Sequence, residues 1–487
     1  MQRMDDRRNG VVIGAVKSGS GKTLITCALI QALKERGLKV CSYKCGPDYI
    51  DPMFHRKVLG IPGGNLDTFF TGEEKTKEIF LDSTDIDSFA VVEGVMGLFD
   101  GMGGIHEEGS SYHLAKTLKL PVILIIDAHG MGRSIIPLIS GFMSYDKSHQ
   151  IAGVILNRVS KSYFPTISKL IQDELHIEVL GYFPKQNDIK LESRHLGLKM
   201  PDEISDLRKQ IQKAAGELEN SVDIDRIIEA AEKWNLGSKE NAIHDKDILK
   251  TTVKNSDKTV EDSKETFEVT KAYEDKPVLA VARDEAFCFY YQENIKLLEK
   301  AGFCIKEFSP VHDKKLPDGS SAILLGGGYP ELFAKKLSDN EEMKKSIKAA
   351  IESGMPSVAE CGGFMYLHKR LTDEENKSYD MVGILDEECR YKGKLVRFGY
   401  ASFNEKKSIF LSQNTDIKGH EFHYYDSTDN GNSCIAKKPV GQRSWECVWE
   451  DDNHWWGFPH LYYPSNPSFV EHFYKKALEY KVKEKCE

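Results

Sequence analysis

Residues Val11–Thr23 read VVIGAVKSGSGKT, and this stretch decides the fold of the N-terminal half of the chain. It begins as an apolar run typical of a buried strand, breaks into glycines, and continues into an amphipathic segment typical of a helix. Glycines at this place let backbone N–H groups turn toward a phosphate, while a lysine adds positive charge and a hydroxyl can hold Mg²⁺. The sequence therefore predicts a nucleotide-binding loop, whose residues are Gly19, Gly21, Lys22 and Thr23.

The loop departs from the most common pattern, G-x-x-x-x-G-K-[ST], because Val16 stands where the first glycine belongs. Lys17 lies five residues before Lys22 and brings the stretch closer to the variant loop K-G-G-x-G-K-T, with Ser18 in place of one glycine. The alternative is an ordinary glycine- and serine-rich turn between a strand and a helix. The succession of strand, glycines, Lys-Thr and helix favours phosphate binding.

The composition indicates a globular protein with more than one domain. The chain has 487 residues, 40% apolar and 29% charged, and it is long for a single hydrophobic core. Its formal net charge of -9 gives no basic footprint, so we expect no nucleic acid partner. We find no apolar signal segment and no apolar run of membrane-spanning length, and we expect a cytoplasmic protein without membrane contact. The cysteines are scattered without a C-x-x-C pair, which argues against a zinc site or a disulfide framework.

Short β-branched runs alternate with amphipathic stretches from Val11 to about Gly181. This alternation is typical of an α/β domain with a doubly wound, mostly parallel sheet whose strands are covered on both faces. In such sheets, ligands gather at the carboxyl ends of the strands. The predicted strands after the first are Leu38–Tyr43, Phe89–Glu93, Pro121–Asp127, Ile151–Asn157 and Ile177–Gly181.

Carboxylates follow two of these strands. Asp48 and Asp51 lie beside prolines after the second strand, and Glu93 and Asp100 flank a glycine-rich stretch after the third. Mg²⁺ takes oxygen ligands and usually keeps one or two protein carboxylates, so Thr23, Asp48 and Glu93 form a predicted cation site. Each acid has an alternative interpretation as a turn residue or a helix cap.

Asn157, at the end of another predicted strand, is expected either to hydrogen-bond a nucleobase or to occupy a turn.

The composition also predicts the domain organisation. Residues 201–234 show a helical pattern that we attribute to packing. Residues 236–276 are rich in Lys, Glu, Asp, Ser and Thr and predict a polar linker. We therefore expect one domain over residues 9–235 and a second over residues 277–487.

The second domain is again predicted to be α/β, and its most informative stretch is Met355–Leu367, MPSVAECGGFMYL. A short strand meets a helix at Cys361, so the thiol is expected at a helix N-terminus, where the dipole favours thiolate and N–H groups can stabilise an oxyanion. Its base should be a histidine far along the chain. His460 is the first candidate, and His420 and His423 compete with it. The alternative is that Cys361 is one more buried thiol.

Six stretches, in this order, resemble the landmarks of the cobyrinic acid a,c-diamide synthases over nearly the whole chain. They are Lys44–Pro52, Glu93–Gly101, Ser193–Leu198, Gly326–Glu331, Glu360–Gly363 and Gly419–Tyr424. The resemblance implies an ATP-dependent synthetase domain similar to dethiobiotin synthetase, followed by a class I glutamine amidotransferase domain. It implies a carbon–nitrogen ligase that activates the a- and c-acetate carboxylates of a corrin as acyl phosphates and takes ammonia from glutamine through a thioester at Cys361.

The resemblance also implies roles for single residues. The implied catalytic pair is Cys361 and His460, with an oxyanion hole of backbone N–H groups near Gly328 and Gly362. The implied cofactors are ATP, with Lys22 on its phosphates, and Mg²⁺, held by Thr23, Asp48 and Glu93. The residues implied to lie near the substrate or its activated carboxylate are Tyr49, Asp51 and Asp100.

Two alternatives stay open at this point. The same chemistry could act on another tetrapyrrole, hydrogenobyrinic acid or a nickel sirohydrochlorin, because no motif identifies the macrocycle. Lys17 and the variant loop suggest a more remote alternative, a nucleotide-dependent switch ATPase with an inactive glutaminase domain. The expected partners are a tetrapyrrole polycarboxylate and L-glutamine, and a homodimer is left open.

Overall fold

The computed structural model describes residues 8–186, 189, 201–234 and 276–486. The Ser193–Leu198 landmark and all of the predicted linker except Lys276 lie outside the described residues. Within the described part of the chain, no helix is long and apolar enough to cross a membrane. The cysteines described there are all free thiols.

The N-terminal half is organised around one seven-stranded sheet. Its strands are β1 (Asn9–Ala15), β2 (Val40–Cys45), β3 (Gly63–Leu66), β4 (Phe89–Glu93), β5 (Val122–Asp127), β6 (Ile151–Asn157) and β7 (Val179–Phe183). The spatial order is β3-β2-β4-β1-β5-β6-β7, and every neighbouring pair is parallel. Apolar side chains are buried on both faces of this sheet, in two separate clusters. The predicted doubly wound parallel sheet is confirmed.

Helices cover both faces of that sheet. They are α1 (Lys22–Glu35), α2 (Ile50–Phe54), α3 (Thr68–Ser83), α4 (Ser111–Leu118), α5 (Ile135–Tyr145), α6 (Phe164–Leu175), α7 (Pro201–Ser221) and α8 (224–234). The helical pattern predicted over residues 201–234 corresponds to two helices, α7 and α8. The chain leaves the helix at Val222, where it forms an antiparallel bridge with Gly181 at the end of the sheet.

The C-terminal half contains a second, mostly parallel sheet, a four-stranded mixed sheet and antiparallel sheets. Its strands are β8 (Val278–Ala282), β9 (Phe287–Phe289), β10 (Cys304–Phe308), β11 (Ser320–Leu325), β12 (Gly327–Gly328), β13 (Ser357–Glu360), β14 (His368–Thr372), β15 (Ser378–Asp380), β16 (Leu385–Tyr391), β17 (Arg397–Glu405), β18 (Ile417–His423), β19 (Tyr425–Ser427), β20 (Cys434–Lys437), β21 (Ser444–Cys447), β22 (Trp449–Glu450), β23 (His454–Gly457) and β24 (His460–Leu461).

The central sheet of this half has the order β10-β8-β11-β13-β23-β22, and β22 is its antiparallel edge. A five-stranded antiparallel sheet, β21-β20-β17-β18-β24, packs beside it. The helices are α9 (Gln292–Ala301), α10 (Ala334–Asp339), α11 (Glu341–Glu352), α12 (Gly362–Leu367) and α13 (Ser468–Cys486). The predicted α/β character is confirmed, whereas the antiparallel sheet was not predicted.

The two halves are joined by a buried aromatic cluster. Its fully packed members are Tyr49, Phe69, Phe70, Tyr291 and Tyr462. The first three belong to the N-terminal half and the last two to the C-terminal half, so the core is continuous across the boundary. Rigid, closely packed rings of this kind fix the relative orientation of the parts that they join.

Candidate active site

The phosphate loop has the backbone that its sequence predicts. Gly19 and Gly21 have φ of +75° and +93°, a region that favours glycine, and Gly21 is the N-cap of α1. The amide nitrogen of Asn157 donates a hydrogen bond of 2.8 Å to the carbonyl oxygen of Ser20. A Cβ atom on Gly21 would lie 2.2 Å from that nitrogen. The side chain of Asn157 therefore supports the loop, and its contact with a nucleobase stays a prediction.

A buried cluster of charges lies at the carboxyl ends of β2 and β4. The Thr23 hydroxyl donates to Glu93 Oε1 over 2.7 Å, which brings α1 and β4 together. The Lys44 ammonium lies 2.9 Å from Glu93 Oε1 and 2.6 Å from Asp51 Oδ2. Lys22, the lysine of the loop, donates over 2.5 Å to the backbone oxygen of Met96.

One carboxylate oxygen of this cluster is suited to bind a magnesium ion, because no hydrogen bond occupies it. Glu93 Oε2 and His55 Nε2 are buried, lie 3.7 Å apart, and have no hydrogen-bond partner among the described residues. A buried carboxylate oxygen without a partner is costly unless a cation or water occupies the site. Among the described residues, no three His, Cys, Asp or Glu side chains converge as a metal cluster. A site with one or two carboxylates, a hydroxyl and nucleotide oxygens suits Mg²⁺.

Burial sets the protonation of these groups. It raises the pKa of Glu93 to about 7, with Asp51 adding to the shift. It lowers the pKa of Lys22 to about 8, with Lys44 adding to the shift. Burial opposes the charge of Lys44 as well, but the Glu93 and Asp51 carboxylates outweigh it and hold the Lys44 pKa well above its usual range. Burial also lowers the pKa of His55 to about 4, so that its ring is neutral near pH 7.

The other carboxylates predicted for this site lie around the cluster. Asp48 Oδ1 accepts hydrogen bonds from the backbone nitrogens of Ile50 and Asp51, so one of its oxygens caps α2. Asp100 Oδ2 accepts from the backbone nitrogen of Gly97, over 2.9 Å, and holds the glycine-rich turn after β4. One oxygen of Asp48 therefore acts as a helix cap and one oxygen of Asp100 as a turn acceptor, as the alternative interpretations expected.

Tyr49, which the resemblance implied to lie near the substrate, is buried in the aromatic cluster between the two halves of the chain. Its ring is only 8% exposed and stacks on Phe289 of the C-terminal half, with centroids 5.1 Å apart. It also packs 5.3 Å from the ring of His460 and 5.7 Å from that of His420. The loop that carries Asp48 therefore contacts the histidines of the other half directly.

Cys361 forms the sharp turn that the sequence predicts. Its φ of +47° and ψ of -103° place it outside the ordinary regions for a non-glycine residue, and α12 begins immediately after it. The turn is held because the Cys361 N–H donates to the Gly457 oxygen over 2.8 Å, and the Cys361 oxygen accepts from Met365. Strained turns of this type concentrate at functional sites.

Gly327 and Gly328, the two residues of β12, lie close to His460 and to the residue that follows Cys361. A Cβ atom on Gly327 would lie 2.3 Å from His460 Cε1, so that ring packs directly on the backbone. A Cβ atom on Gly362 would lie 3.1 Å from the backbone nitrogen of Gly328. The residue after Cys361 and the imidazole of His460 therefore border the same short strand, β12.

The thiol and the imidazole are both uncharged in this arrangement. Burial, reinforced by the charge of Glu331, raises the pKa of Cys361 above its usual range, although the Gly362 N–H favours the thiolate. Burial, with His420 and His423 nearby, holds the pKa of His460 well below its usual range. Desolvation therefore outweighs the preference for thiolate at the helix N-terminus in this conformation, because α12 has only six residues.

The competing histidines have other partners. His423 Nε2 lies 2.9 Å from Glu421 Oε2, and its ring stacks on Phe458. His420 Nδ1 lies 3.1 Å from the Tyr291 hydroxyl, and its ring stacks on His460 with centroids 4.9 Å apart. His460 Nδ1 is buried and has no hydrogen-bond partner among the described residues.

The first turn of α9 links the two sites, and no motif in the sequence indicates this link. Glu293 Oε1, at the start of α9, accepts from the backbone nitrogen of Asn65 on β3 over 3.2 Å. The Asn65 side chain donates to the oxygens of Gly46 and Asp48, at 3.0 and 2.7 Å. The next residue of α9, Asn294, donates to the Leu461 oxygen and accepts from the Tyr463 nitrogen, each over 2.8 Å. One turn of helix therefore contacts both the Asp48 loop and the segment that carries His460.

Comparison with known proteins agrees with this two-part arrangement. The CobQ/CobB/MinD/ParA nucleotide binding domain matches residues 11–198, and the CobB/CobQ-like glutamine amidotransferase domain matches residues 278–458. A cobyrinate a,c-diamide synthase of Caldanaerobacter subterraneus subsp. tengcongensis is 38% identical over 454 residues, which cover 92% of this chain and 94% of the relative. A protein of the same name from Listeria innocua is 35% identical over 95% of this chain and 98% of its own length. Another from Picrophilus torridus is 36% identical over 96% of this chain and 99% of its own length.

Proposed function

Because this chain belongs to the cobyrinate a,c-diamide synthase family, we propose that it amidates the a- and c-acetate carboxylates of cobyrinic acid, with ATP as energy source and glutamine as nitrogen donor. Family membership makes the protein a carbon–nitrogen ligase with a nucleotide-binding domain and a glutamine amidotransferase domain. We assign synthesis to residues 9–235 and glutamine hydrolysis to residues 277–487, with residues 236–276 between them.

The synthetase half would activate the carboxylate. A carboxylate is a poor electrophile until phosphorylation gives it a leaving group, and charge repulsion opposes its approach to a polyphosphate. Backbone N–H groups of the loop around Gly19 and Gly21 would bind the phosphates, and Lys22 would exchange the Met96 oxygen for a phosphate oxygen. Asp51 and Asp100 would lie near the reacting carboxylate.

A divalent cation would be held in the same place. We assign it to Thr23, Asp48 and Glu93, and the unpartnered Glu93 Oε2 supports this assignment. Mg²⁺, when bound, would neutralise phosphate charge and orient the phosphates. Lys44 would hold Glu93 and Asp51 in position, since it contacts both.

The glutaminase half would release ammonia. The Cys361 sulfur would attack the side-chain carbonyl carbon of glutamine while the thiol proton passes to His460, and backbone N–H groups near Gly328 and Gly362 would bind the oxyanion. The proton on His460 would then go to the leaving nitrogen, giving ammonia and a glutamyl thioester. Water would hydrolyse the thioester, and ammonia would displace phosphate from the activated carboxylate.

The single observation that carries the proposal is the contact between the two sites. Tyr49 lies directly between Asp48 and Ile50 in the predicted cation loop, and its ring packs on His460 of the predicted glutaminase pair. A carboxylate-activating site and an ammonia-releasing site need to be neighbours, because free ammonia is lost to solvent by diffusion and protonation. This contact supports one coupled reaction over two independent activities.

The substrate is tested by incubating the protein with ATP, Mg²⁺, glutamine and one macrocycle at a time, followed by mass spectrometry of the products. The macrocycles are cobyrinic acid, hydrogenobyrinic acid and nickel sirohydrochlorin. We expect cobyrinic acid to gain two amides at the highest kcat/KM. Preferential amidation of either other macrocycle would replace the substrate and keep the chemistry, whereas ATP hydrolysis without any amide product would overturn the proposal.

A pair of variants separates the two halves. Cys361→Ser should lose glutamine-dependent amidation and keep amidation from added ammonia, because only the release of nitrogen needs the sulfur. Lys22→Ala and Asp48→Asn should lose amidation from both nitrogen donors. Glutamine-dependent product from Cys361→Ser, or ammonia-dependent product from the other two variants, would contradict the assignment of that residue.

A further inference from the structure

Glu331 follows the short strand β12, which borders both the proposed nucleophile and its histidine. It lies in a short helical turn, Pro330–Phe333, that begins directly after the strand. A Cβ atom on Gly362, the residue after the nucleophile, would lie 2.9 Å from the Pro330 ring. This turn therefore holds Glu331 beside the start of α12, within the proposed glutaminase site.

The carboxylate of Glu331 has no cationic partner within the described part of the chain. It forms no ion pair there and accepts no hydrogen bond from another residue. Burial, with no cation to offset it, raises the pKa of Glu331 to about 7. A carboxylate withdrawn from water without a cation is costly. The protein thus keeps a negative group that its own described residues do not neutralise.

Two other glutamates near the thiol already have partners. Glu360 accepts a hydrogen bond from the Tyr463 hydroxyl over 3.0 Å. Glu421 accepts from Trp445 Nε1 over 3.2 Å and lies 2.9 Å from His423 Nε2. Both carboxylates are therefore occupied by side chains of the protein itself.

Negative charge surrounds the thiol of Cys361. Burial raises the pKa of this thiol most, and the charges of Glu331, Glu421 and Glu360 add to the shift in decreasing order. Glu331 is therefore the strongest charge that acts on the sulfur, and among these three glutamates it is the one whose carboxylate lacks a partner. Such surroundings favour a ligand that brings a positive charge to the nucleophile.

The same site has a second polar atom without a partner, and it is open to solvent. His460 Nδ1 is buried, has no hydrogen-bond partner among the described residues, and would lie 3.1 Å from a Cβ atom on Gly327. The residues that follow Gly327 are partly exposed at Gly328, Tyr329 and Glu331. Unpartnered polar atoms beside an opening indicate a small polar ligand.

The chemistry of the site selects the ammonium end of an amino acid. An ammonium has three donors and no acceptor, so it suits a carboxylate that has no other donor. Four single bonds separate the side-chain carbonyl carbon of glutamine from its α-nitrogen, and the two atoms are therefore at most about 5 Å apart. When the Cys361 sulfur attacks that carbon, the ammonium stays within reach of a carboxylate beside the same thiol.

We propose that Glu331 binds the α-ammonium of glutamine by charge-assisted hydrogen bonds while Cys361 attacks the side-chain carbonyl carbon. This inference rests on the proposed function and names the residue that recognises the amino-acid end of the nitrogen donor. Free ammonia has no such end, so Glu331 has no part in amidation from added ammonia.

The test compares glutamine with glutaramic acid, which has hydrogen in place of the α-ammonium. Formation of glutamate or glutarate is followed by mass spectrometry with cobyrinic acid, ATP and Mg²⁺ present. The wild type should prefer glutamine about 30- to 300-fold in kcat/KM. Glu331→Gln should raise KM for glutamine about 10- to 100-fold, bring the two amides within about threefold of each other, and leave ammonia-dependent amidation unchanged. Glu375→Gln, at an exposed glutamate between β14 and β15, is the matched control and should keep the wild-type preference.

A second arm separates recognition of the ammonium from reactivity of the sulfur. 6-Diazo-5-oxo-L-norleucine carries an α-ammonium and alkylates a nucleophilic cysteine, whereas iodoacetamide has no ammonium. Glu331→Gln should slow alkylation of Cys361 by the first reagent about 10- to 100-fold. It should not slow alkylation by iodoacetamide, because the loss of a nearby negative charge favours the thiolate. Equal slowing with both reagents would show that Glu331 only shapes the site, and the inference would be overturned.

The remaining outcomes distinguish this inference from the proposed function. If Glu331→Gln fails to fold, seen as loss of ammonia-dependent amidation, Glu331→Asp replaces it and should keep a weaker preference for glutamine than the wild type. A wild type that hydrolyses glutaramic acid as well as glutamine, or a Glu331 variant with the full wild-type preference, overturns the inference and leaves the proposed function intact. If the wild type hydrolyses neither amide in the presence of cobyrinic acid and ATP, the proposed function fails and the inference fails with it.

Discussion

The turn at Cys361 follows from local sequence, whereas the protonation state of its thiol does not. Its turn follows from a short strand, two glycines and an amphipathic segment, and the φ of +47° agrees with that pattern. The charge of the sulfur depends on what covers it, and that cover comes from distant parts of the chain. Burial dominates, and the thiol is protonated near neutral pH in this conformation.

Alkylation tests that statement. Only the thiolate reacts with iodoacetamide, and below its pKa the thiolate fraction rises tenfold per pH unit. Because burial raises the pKa of Cys361, its alkylation rate in the folded protein should rise through pH 9 without a plateau, as followed by mass spectrometry of the Cys361 peptide. The same peptide in guanidinium chloride should approach its plateau near pH 9. A plateau below pH 8 in the folded protein would mean that the sulfur is an activated thiolate.

The helix α9 is the element on which the coupling of the two sites depends. Its first turn places Glu293 against β3 and Asn294 against the Leu461–Tyr463 segment. The bounds of this helix were nearly predictable, since its apolar spacing is regular. Its partners were not, because no local pattern indicates that a buried glutamate will meet an edge strand more than two hundred residues earlier in the chain.

Asn294→Ala removes two hydrogen bonds from the segment that carries His460, so the imidazole should lose its position. We expect glutamine hydrolysis to fall about 10- to 100-fold in kcat, with ammonia-dependent amidation unchanged. Asn294→Asp keeps the acceptor for Tyr463 and should recover part of the loss. Equal losses from both nitrogen donors would show that α9 only stabilises the fold.

Gly64 tests the other contact of the same turn. A Cβ atom at this position would lie 1.9 Å from Glu293 Oε1, so Gly64→Ala should lower the free energy of unfolding by about 1–3 kcal/mol. In the double variant with Glu293→Ala the clash is absent, and the two losses should be less than additive in urea titrations. Strict additivity would mean that the two residues do not meet in solution.

At the scale of the molecule, the halves form one continuous core. The Tyr400 hydroxyl of the second half donates to Asp67 Oδ2 of the first, and Asp67 also accepts from the backbone nitrogens at the start of α3. Burial raises the pKa of Asp67 to about 6, against an ordinary value of 3.8. The carboxyl therefore binds a proton in the folded protein under conditions where the unfolded chain does not.

The sign of the resulting pH dependence follows from that difference. Between about pH 4 and pH 6 the folded state binds more protons at Asp67, so its contribution to the free energy of unfolding decreases as the pH rises through this window. Asp67→Asn keeps the helix cap and an acceptor for Tyr400 but cannot titrate. Urea unfolding of both proteins from pH 4.5 to 6.5 should show a decreasing advantage of the wild type as the pH rises. A difference that stays constant over this range would contradict the raised pKa.

The sequence predicted the parts of the protein that depend on local pattern. Strands such as Phe89–Glu93 and Ile151–Asn157 have the predicted bounds, because buried parallel strands are nearly continuous apolar runs between polar ends. The break at Val222 was not predictable, because it depends on a bridge to Gly181. Lys44 and Asn65 were overlooked for the same reason, since their roles come from contacts between elements and leave no motif.

The most direct test of the whole account follows the nitrogen. Cobyrinic acid, ATP and Mg²⁺ are supplied with glutamine labelled with ¹⁵N in its amide, in the presence of unlabelled ammonium chloride, and the product is analysed by mass spectrometry and NMR. We predict a diamide in which both new amides, at the a and c positions, carry mainly ¹⁵N, with one ADP formed per amide. A product without amides, or amides that carry the nitrogen of the added ammonium salt in proportion to its concentration, would contradict the coupling of the two sites.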